Sequence, residues 1–215
     1  MIKVHKVSKV YGKGLNRIVA IGELSFEVEK GEFVMLFGPS GSGKTTILNI
    51  IAGLTRPTYG TVYIAGEDIF QMSDSELTKF RARNIGLVFQ FQSMLPHLNA
   101  LDNVRLALRL AGKKDDPELA EKALRRMGLG DRLTAYADEL SMGQQRRVGI
   151  ARALINKPSI LLCDEPTGDL DSETEKSIME MIKKAHLAGT TILMVTHNCS
   201  LGTYATRILQ KNLAV

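Results

Sequence analysis

Cysteine is scarce in this chain, with only Cys163 and Cys199 among 215 residues. Two thiols make no disulfide framework and have no metal-ligand spacing, so the sequence reads as a cytosolic, reduced protein held by an apolar core. Long hydrophobic runs are missing as well. No stretch approaches the roughly 18 apolar residues of a membrane span, and the opening Met-Ile-Lys-Val-His is no signal peptide. Any membrane role is therefore expected to be peripheral. Internal repeats, low-complexity tracts and proline-rich linkers are lacking too, which excludes solenoids and extended linkers.

What is there is an ordinary globular composition, 44% hydrophobic and 24% charged, with a mean hydropathy near zero. The length suits one large domain, or a core with an inserted subdomain. Lys and Arg number 28 against 23 Asp and Glu, a formal charge of +5. The densest basic clusters, Arg81/Arg83 and Arg125/Arg126, sit beside acids in helical stretches. They read either as solvated helix faces or as a surface toward acidic headgroups or nucleic acid.

Apolar runs bounded by glycine alternate with amphipathic stretches, which predicts an α/β fold. Ile2–Val10 and Ala20–Val28 alternate like half-buried strands, and Phe33–Phe37 is continuously apolar, like a strand buried on both faces. Helix Lys44–Leu54 follows, then strands Thr61–Ile64 and Ile85–Phe89, with a capping box at Ser73-Asp-Ser-Glu76 between them. From about Gln90 to Pro158 only helices are expected: Leu98–Leu110, Pro117–Met127 and Gly143–Asn156. Strand Ile160–Cys163, helix Ser172–Leu187 (capping box Ser172-Glu-Thr-Glu175) and strand Thr191–Val195 complete the pattern. The expected division is a single domain over 1–215, with a core of 1–90 and 158–215 around a helical subdomain of about 91–157.

Gly38-Pro39-Ser40-Gly41-Ser42-Gly43-Lys44-Thr45 fits G-x-x-x-x-G-K-[ST] between a buried strand and a helix. Small residues let successive backbone N–H groups close around phosphate oxygens, and the helix N-terminus adds partial positive charge. Lys44 can reach the terminal phosphates, and the Thr45 hydroxyl can ligate Mg²⁺. Ser159-Ile-Leu-Leu-Cys-Asp164-Glu165 places an acid at the carboxyl edge of a sheet, where open α/β folds bind ligands. Asp164 can hold Mg²⁺ there, and Glu165 can polarise an attacking water. An acidic pair after a strand is by itself a common strand end; downstream of a phosphate loop it gains weight.

With these residues the chain resembles the nucleotide-binding subunit of an ATP-binding cassette (ABC) transporter over nearly its whole length. The ordered motifs are Tyr11 in Lys9-Val-Tyr-Gly, the phosphate loop, Gln90, Leu140-Ser141-Met142-Gly143-Gln144, Asp164-Glu165-Pro-Thr-Gly, Gly168-Asp-Leu-Asp171 and Val195-Thr-His197. The resemblance implies a P-loop ATPase core with an antiparallel N-terminal β region and the helical insert. It implies ATP and Mg²⁺ as cofactors, with Tyr11 stacking on adenine and the loop through Thr46 binding phosphates. Thr45, Gln90 and Asp164 would organise the metal; Glu165, His197 and Lys44 would be catalytic. His197 would otherwise read as a satisfied core histidine.

Further implications concern partners. Ser141, Met142, Gly143 and Gln144 correspond to the signature that caps ATP on a second copy, and Asp171 to the D-loop, giving an ATP-induced head-to-tail dimer. Met142 departs from the family's glycine, adding bulk beside the nucleotide and penalising any positive φ. Asp169 and the short end at Val215 are lesser departures. A separate membrane permease would dock near Gln90–Leu101, where Met94, Leu95, Pro96 and Leu98 supply apolar lining or simply pack the insert. The Phe89–Pro96 run and Leu101-Asp-Asn-Val104 look most like ATPases of lipoprotein release and of macrolide or peptide export. Arg147-Val-Gly-Ile-Ala-Arg and Asn156-Lys-Pro are reminiscent of the cell-division branch. A soluble ABC protein acting on nucleic acid is disfavoured by the single cassette and short insert, and no nucleic-acid partner is expected. A P-loop kinase or GTPase would leave Tyr11, Ser141–Gln144 and His197 unexplained, and Asn156-Lys-Pro-Ser159 lacks the acid of the guanine motif. The implied location is the cytoplasmic membrane face.

Overall fold

The computed structural model describes residues 1–12, 14–90 and 94–210, with the backbone alone at Leu15. Phe91, Gln92 and Ser93, which open the expected insert, and the chain end at Val215 lie outside the described residues.

Alternating sequences form the antiparallel sheet. Strands β1 (Ile2–Tyr11) and β2 (Ile18–Val28) pair with Ile2 opposite Val28, and β4 (Tyr59–Ile64) joins the other edge of β1 with Ile2 opposite Ile64. The sheet order is β2-β1-β4-β5, where β5 is the two-residue Glu67–Asp68. Its inner face buries Ile2, Val4, Ile21, Val28, Val62 and Ile64.

Continuously apolar runs form the parallel sheet, in the order β6-β7-β8-β3-β9. It comprises β3 (Phe33–Phe37), β6 (Ile85–Val88), β7 (Ile160–Asp164), β8 (Thr191–Thr196) and β9 (Arg207–Gln210). Every residue of β7 and β8 is buried, as parallel strands covered on both faces must be. Period-two alternation divides their side chains between layers. Val34, Leu36, Leu162, Leu193 and Val195 pack with α1 (Lys44–Ile51) and the antiparallel sheet. Phe33, Met35, Leu161, Cys163, Ile192 and Met194 face the other way, toward α6 (Ser172–Leu187).

A third core gathers Val104, Leu108, Leu124 and Val148, from α3 (Ala100–Leu110), α4 (Pro117–Arg126) and α5 (Met142–Leu154), with Met94 before α3 and Ile155 just after α5. Helix α5 also sends Ile150 and Ala153 into the second core. One helix thus belongs to both bodies, so movement of its N-terminus is tied to the sheet.

Several boundaries differ from expectation. Helix α1 ends at Ile51, short of Leu54, and α3 begins at Ala100 because Asn99 caps it, accepting from the Asp102 N–H at 2.8 Å. Helix α5 runs from Met142 to Leu154, opening one residue early on the Ser141 cap. The Ser73–Glu76 box forms at the start of α2 (Asp74–Asn84), whereas Ser172 does not cap α6. Asp171 does so instead, accepting from the Glu173 and Thr174 N–H groups at 3.1 and 2.9 Å. A carboxylate outcompetes a hydroxyl there because it also meets the positive helix end. Strands β5 and β9 carried too few apolar residues to be read.

Candidate functional site

Strand β3 delivers the chain into the Gly38–Gly43 loop, and Gly43 adopts φ +78 as the N-cap of α1. A left-handed residue is needed at that corner to turn the chain into the helix, and glycine takes it without Cβ strain. Lys44 then folds back over the loop, its Nζ donating to the Gly38 and Pro39 carbonyls at 2.8 and 2.9 Å. Around Gly41 no atom lies within 4 Å of where a Cβ would stand. Gly41 is thus open to solvent while the ammonium is held against the loop carbonyls, which leaves the loop backbone clear for phosphate. Pro39, Ser40 and Thr45 are exposed, Thr46 is half-buried and Ser42 is buried.

At the end of β7, Asp164 accepts from the Thr45 hydroxyl at 3.1 Å. Burial pushes its carboxyl above the ordinary range; the neighbouring Glu165 adds to the rise, while Thr45, Lys44 and Arg146 oppose it. Gln90 lies against the next loop, its Nε2 3.2 Å from where a Cβ of Gly168 would stand. Thr45, Gln90 and Asp164 all border one cleft of about 880 Å³. A hydroxyl, an amide and a carboxylate disfavoured in its charged form are a hard-oxygen set that a divalent cation would relieve, so these residues fit Mg²⁺.

Glu165 is the most constrained group. Its backbone sits at φ +44, a sparsely populated conformation for a residue with a Cβ. Its side chain is 9% exposed and lies 3.5 Å from Lys44 Nζ. The Thr196 hydroxyl donates to Oε2 at 2.9 Å, and the His197 N–H donates to the same oxygen at 3.3 Å. His197 Nδ1 lies 2.9 Å from Oε1. The histidine side chain is 54% exposed, so the core-histidine reading is overturned. It leans from the sheet edge over the carboxylate.

Ser141 and Gln144 satisfy one another across the first turn of α5: the Gln144 N–H donates to Ser141 Oγ at 3.3 Å, and the Ser141 N–H to Gln144 Oε1 at 2.9 Å. Gly143 faces α6, where a Cβ would lie 2.7 Å from Thr174 Cγ2, so a larger residue there would have to displace that methyl group. Met142 is 60% exposed and helical, at N1 of α5. The expected positive-φ penalty does not arise; the exposed bulk remains. Asp171 is occupied as the α6 cap, and Asp169 takes φ +64, a conformation aspartate tolerates better than most residues. Tyr11 closes β1 at 44% exposure, with Lys9 Nζ 5.0 Å from its ring centroid.

The cleft continues from Thr45 and Asp164 between α2, β6, α3 and α5. Leu95, 43% exposed, lines it. Met94 does not serve as lining: it is 3% exposed and packs inside the third core. Pro96 is exposed and Leu98 half-buried.

Three residues escaped the sequence reading. Thr196 bridges to Glu165, although it stands in the quoted Val195-Thr-His197. Arg146, 5% exposed, donates to the Phe89 carbonyl and so ties α5 to the approach to Gln90. Asn103, fully buried, accepts from the Leu95 N–H at 2.8 Å and donates to the Leu95, Leu98 and Asn99 carbonyls. Only a polar residue breaking the apolar face of α3 could have betrayed it.

Comparison with known proteins bears on the whole arrangement. The ABC transporter family model matches residues 21–168. A lipoprotein-releasing system ATP-binding protein, LolD, of Geobacter metallireducens is 42% identical over 98% of this chain and 95% of its own length. The macrolide export ATP-binding/permease protein MacB of Aggregatibacter actinomycetemcomitans is 38% identical over 98% of this chain, which spans 33% of that longer protein. The ATP-binding cassette MJ0796 of Methanocaldococcus jannaschii, solved as a dimer in a post-hydrolysis state bound to ADP and Pi, superposes with a TM-score of 0.91. That match covers 98% of this chain and 94% of the other at 40% identity. The fold is accordingly the P-loop ABC ATPase fold, and likeness at this level through loop, insert and sheet together makes the chain a member of the ABC transporter family.

Proposed function

We propose that Lys44, Glu165 and His197 carry the ATP hydrolysis of this ABC transporter ATP-binding subunit, with the phosphates seated in the Gly38–Thr46 loop. The observation that carries the reading is the buried Glu165 carboxylate, held by Thr196 and His197 within 3.5 Å of Lys44. ATP entering the loop presents its γ-phosphate to Lys44, which is already aimed there. Glu165 is then left with its histidine and threonine contacts and a free acceptor edge, and takes the proton of a water attacking in line. His197 holds the γ-phosphate from the other side and fixes that water. Thr45, Asp164 and Gln90 are the groups that would hold Mg²⁺, which neutralises developing charge on the phosphates. Tyr11 offers a ring for the base. Phosphate release from ATP at millimolar Mg²⁺, abolished by EDTA, tests this reading; release undiminished by chelation would refute the metal assignment.

Ser141–Gln144 have no work on their own loop in this arrangement, and their exposed turn suits capping of ATP on a second copy, with Asp171 beside it. ATP is thereby the glue of a homodimer, and loss of the γ-phosphate opens it. Residues of about 91–157 act as the arm that brings the signature to its target. Met142 weakens closure through bulk alone, so Met142→Gly is expected to raise the ATPase rate about fivefold, the equivalent of roughly 1 kcal/mol. Equal rates in a phosphate-release assay would remove the idea.

No helix among the described residues is long and apolar enough to cross a membrane. The likeness to the lipoprotein-releasing ATP-binding protein along nearly its whole length supports a separate permease, with this subunit peripheral at the cytoplasmic face. The Leu95-lined cleft is the docking place for its cytoplasmic helix. The printed functions of LolD and MacB favour lipoprotein release or export as the task. Leu95→Glu is expected to abolish co-purification with the permease and to leave basal ATPase within about twofold, because the Leu95 side chain is exposed and takes no part in the hydrolysis. Loss of both would mean that Leu95 only packs the insert.

A further inference from the structure

The loop carrying Glu165 and the loop carrying His197 are joined a second time, away from the reacting groups. In the first turn of α6, Glu175 Oε2 accepts from the Thr167 hydroxyl at 3.1 Å and from Asn198 Nδ2 at 3.1 Å. Thr167 is 6% exposed and lies two residues after Glu165; Asn198 follows His197 directly. Asn198 is itself fixed: its N–H donates to Thr196 Oγ1 at 3.0 Å, and its Oδ1 accepts from the Ser200 N–H at 3.1 Å and hydroxyl at 2.7 Å. Thr196 Oγ1 in turn donates to Glu165. A closed circuit results, running Glu165, Thr196, Asn198, Glu175, Thr167 and back along the chain to Glu165.

We propose that Glu175 is a positioning residue that yokes the His197 turn to the Thr167–Asp171 loop, so that both move as one unit when the γ-phosphate arrives or leaves. The inference rests on the roles given above to Glu165 and His197. One carboxylate oxygen receives both donors, so neither turn can shift without breaking a charge-assisted bond. Asp171, four residues before Glu175, caps the same helix and leads into the partner-facing loop, so the yoke also reaches the other copy. Removing Glu175 leaves the Thr167 hydroxyl and the Asn198 amide without their shared acceptor, while Lys44 and the phosphate loop keep every contact they have. Turnover should therefore suffer and ATP affinity should not.

A charge exchange tests the pair directly. Asn198→Asp sets a second carboxylate against Glu175 and is expected to lower kcat about tenfold with the KM for ATP unchanged. Adding Glu175→Gln to Asn198→Asp restores an amide–carboxylate contact with donor and acceptor exchanged, and should bring kcat back to within about threefold of the parent. A purely structural contribution would move KM and melting temperature together with kcat, both on Asn198→Asp and on the rescue. A double variant no faster than Asn198→Asp, beside an active parent, overturns the yoke. A parent that releases no phosphate from MgATP overturns instead the catalytic reading on which it rests. Should Asn198→Asp not fold, Glu175→Ala and Glu175→Gln carry the comparison: glutamine keeps an acceptor oxygen and should outpace alanine by about fivefold. Equal kcat for those two would also refute the proposal.

Discussion

Glu165→Gln should bind ATP at least as tightly as the parent and hydrolyse it more than about 100-fold more slowly. The amide oxygen can still accept from the Thr196 hydroxyl, which now bonds Glu165 Oε2 at 2.9 Å, so the loop geometry survives. What is lost is the ability to take a proton from water. What is gained is the removal of a negative charge that stands 3.5 Å from Lys44, where the γ-phosphate is to sit. The two effects push the same way, toward an ATP-loaded cassette that persists. Light scattering with ADP and then with Mg-free ATP reads the result: a monomer that becomes a dimer is expected. Turnover within a fewfold of the parent would move the catalytic role to another group. A protein that stays monomeric while binding ATP would mean that the Met142 signature needs help from a permease or a different cassette.

The sequence was most informative where one physical demand fixes both residue and neighbourhood. A strand, a run of small residues and a lysine at the helix start can hardly be anything but a phosphate loop, and β7 and β8 announce their double burial by unbroken apolarity. The two faces of the parallel sheet are legible by alternation alone. The groups that hold the site together were less legible, because their partners are distant in the chain. Thr196 and Glu165 are 31 residues apart, Arg146 and Phe89 are 57 apart, and Asn103 reads as one polar residue in an amphipathic helix. Threonine in a buried strand is unremarkable until the carboxylate it serves is placed beside it. The α6 cap shows the same limit at short range. Asp171 and Ser172 are both good caps, and the residue types alone do not say which of the two stands at the helix entry. Met94 and Leu95 differ by one position, yet one lies in the third core and the other lines the cleft. That choice is made by Asn103, which clamps the Leu95 N–H and carbonyl and so sets which way each neighbour turns.

Lys44→Met is expected to fail in a way that separates binding from stability. With ATP, the loss of the ammonium held by the Gly38 and Pro39 carbonyls should weaken affinity about 100-fold, since Lys44 is the point charge aimed at the terminal phosphates. Without ATP, the same change leaves the Glu165 carboxylate, 9% exposed, with no ammonium beside it. Breaking a tight buried pair costs about 3–5 kcal/mol; at 3.5 Å, with Thr196 and His197 still in place, about 2 kcal/mol is the fitting figure. In a chain of this size that lowers the melting temperature by about 4–8 °C. The parent should also melt higher in saturating ATP, by mass action, while Lys44→Met should show almost no such rise. Combining Lys44→Met with Glu165→Gln removes the stranded charge. The double variant should therefore regain most of the lost stability while still binding ATP far more weakly than the parent. Stability that is not regained would mean that Lys44 and Glu165 are not a coupled pair and that the ammonium acts as a structural tether of the loop; ATP affinity regained together with stability would remove Lys44 from phosphate binding.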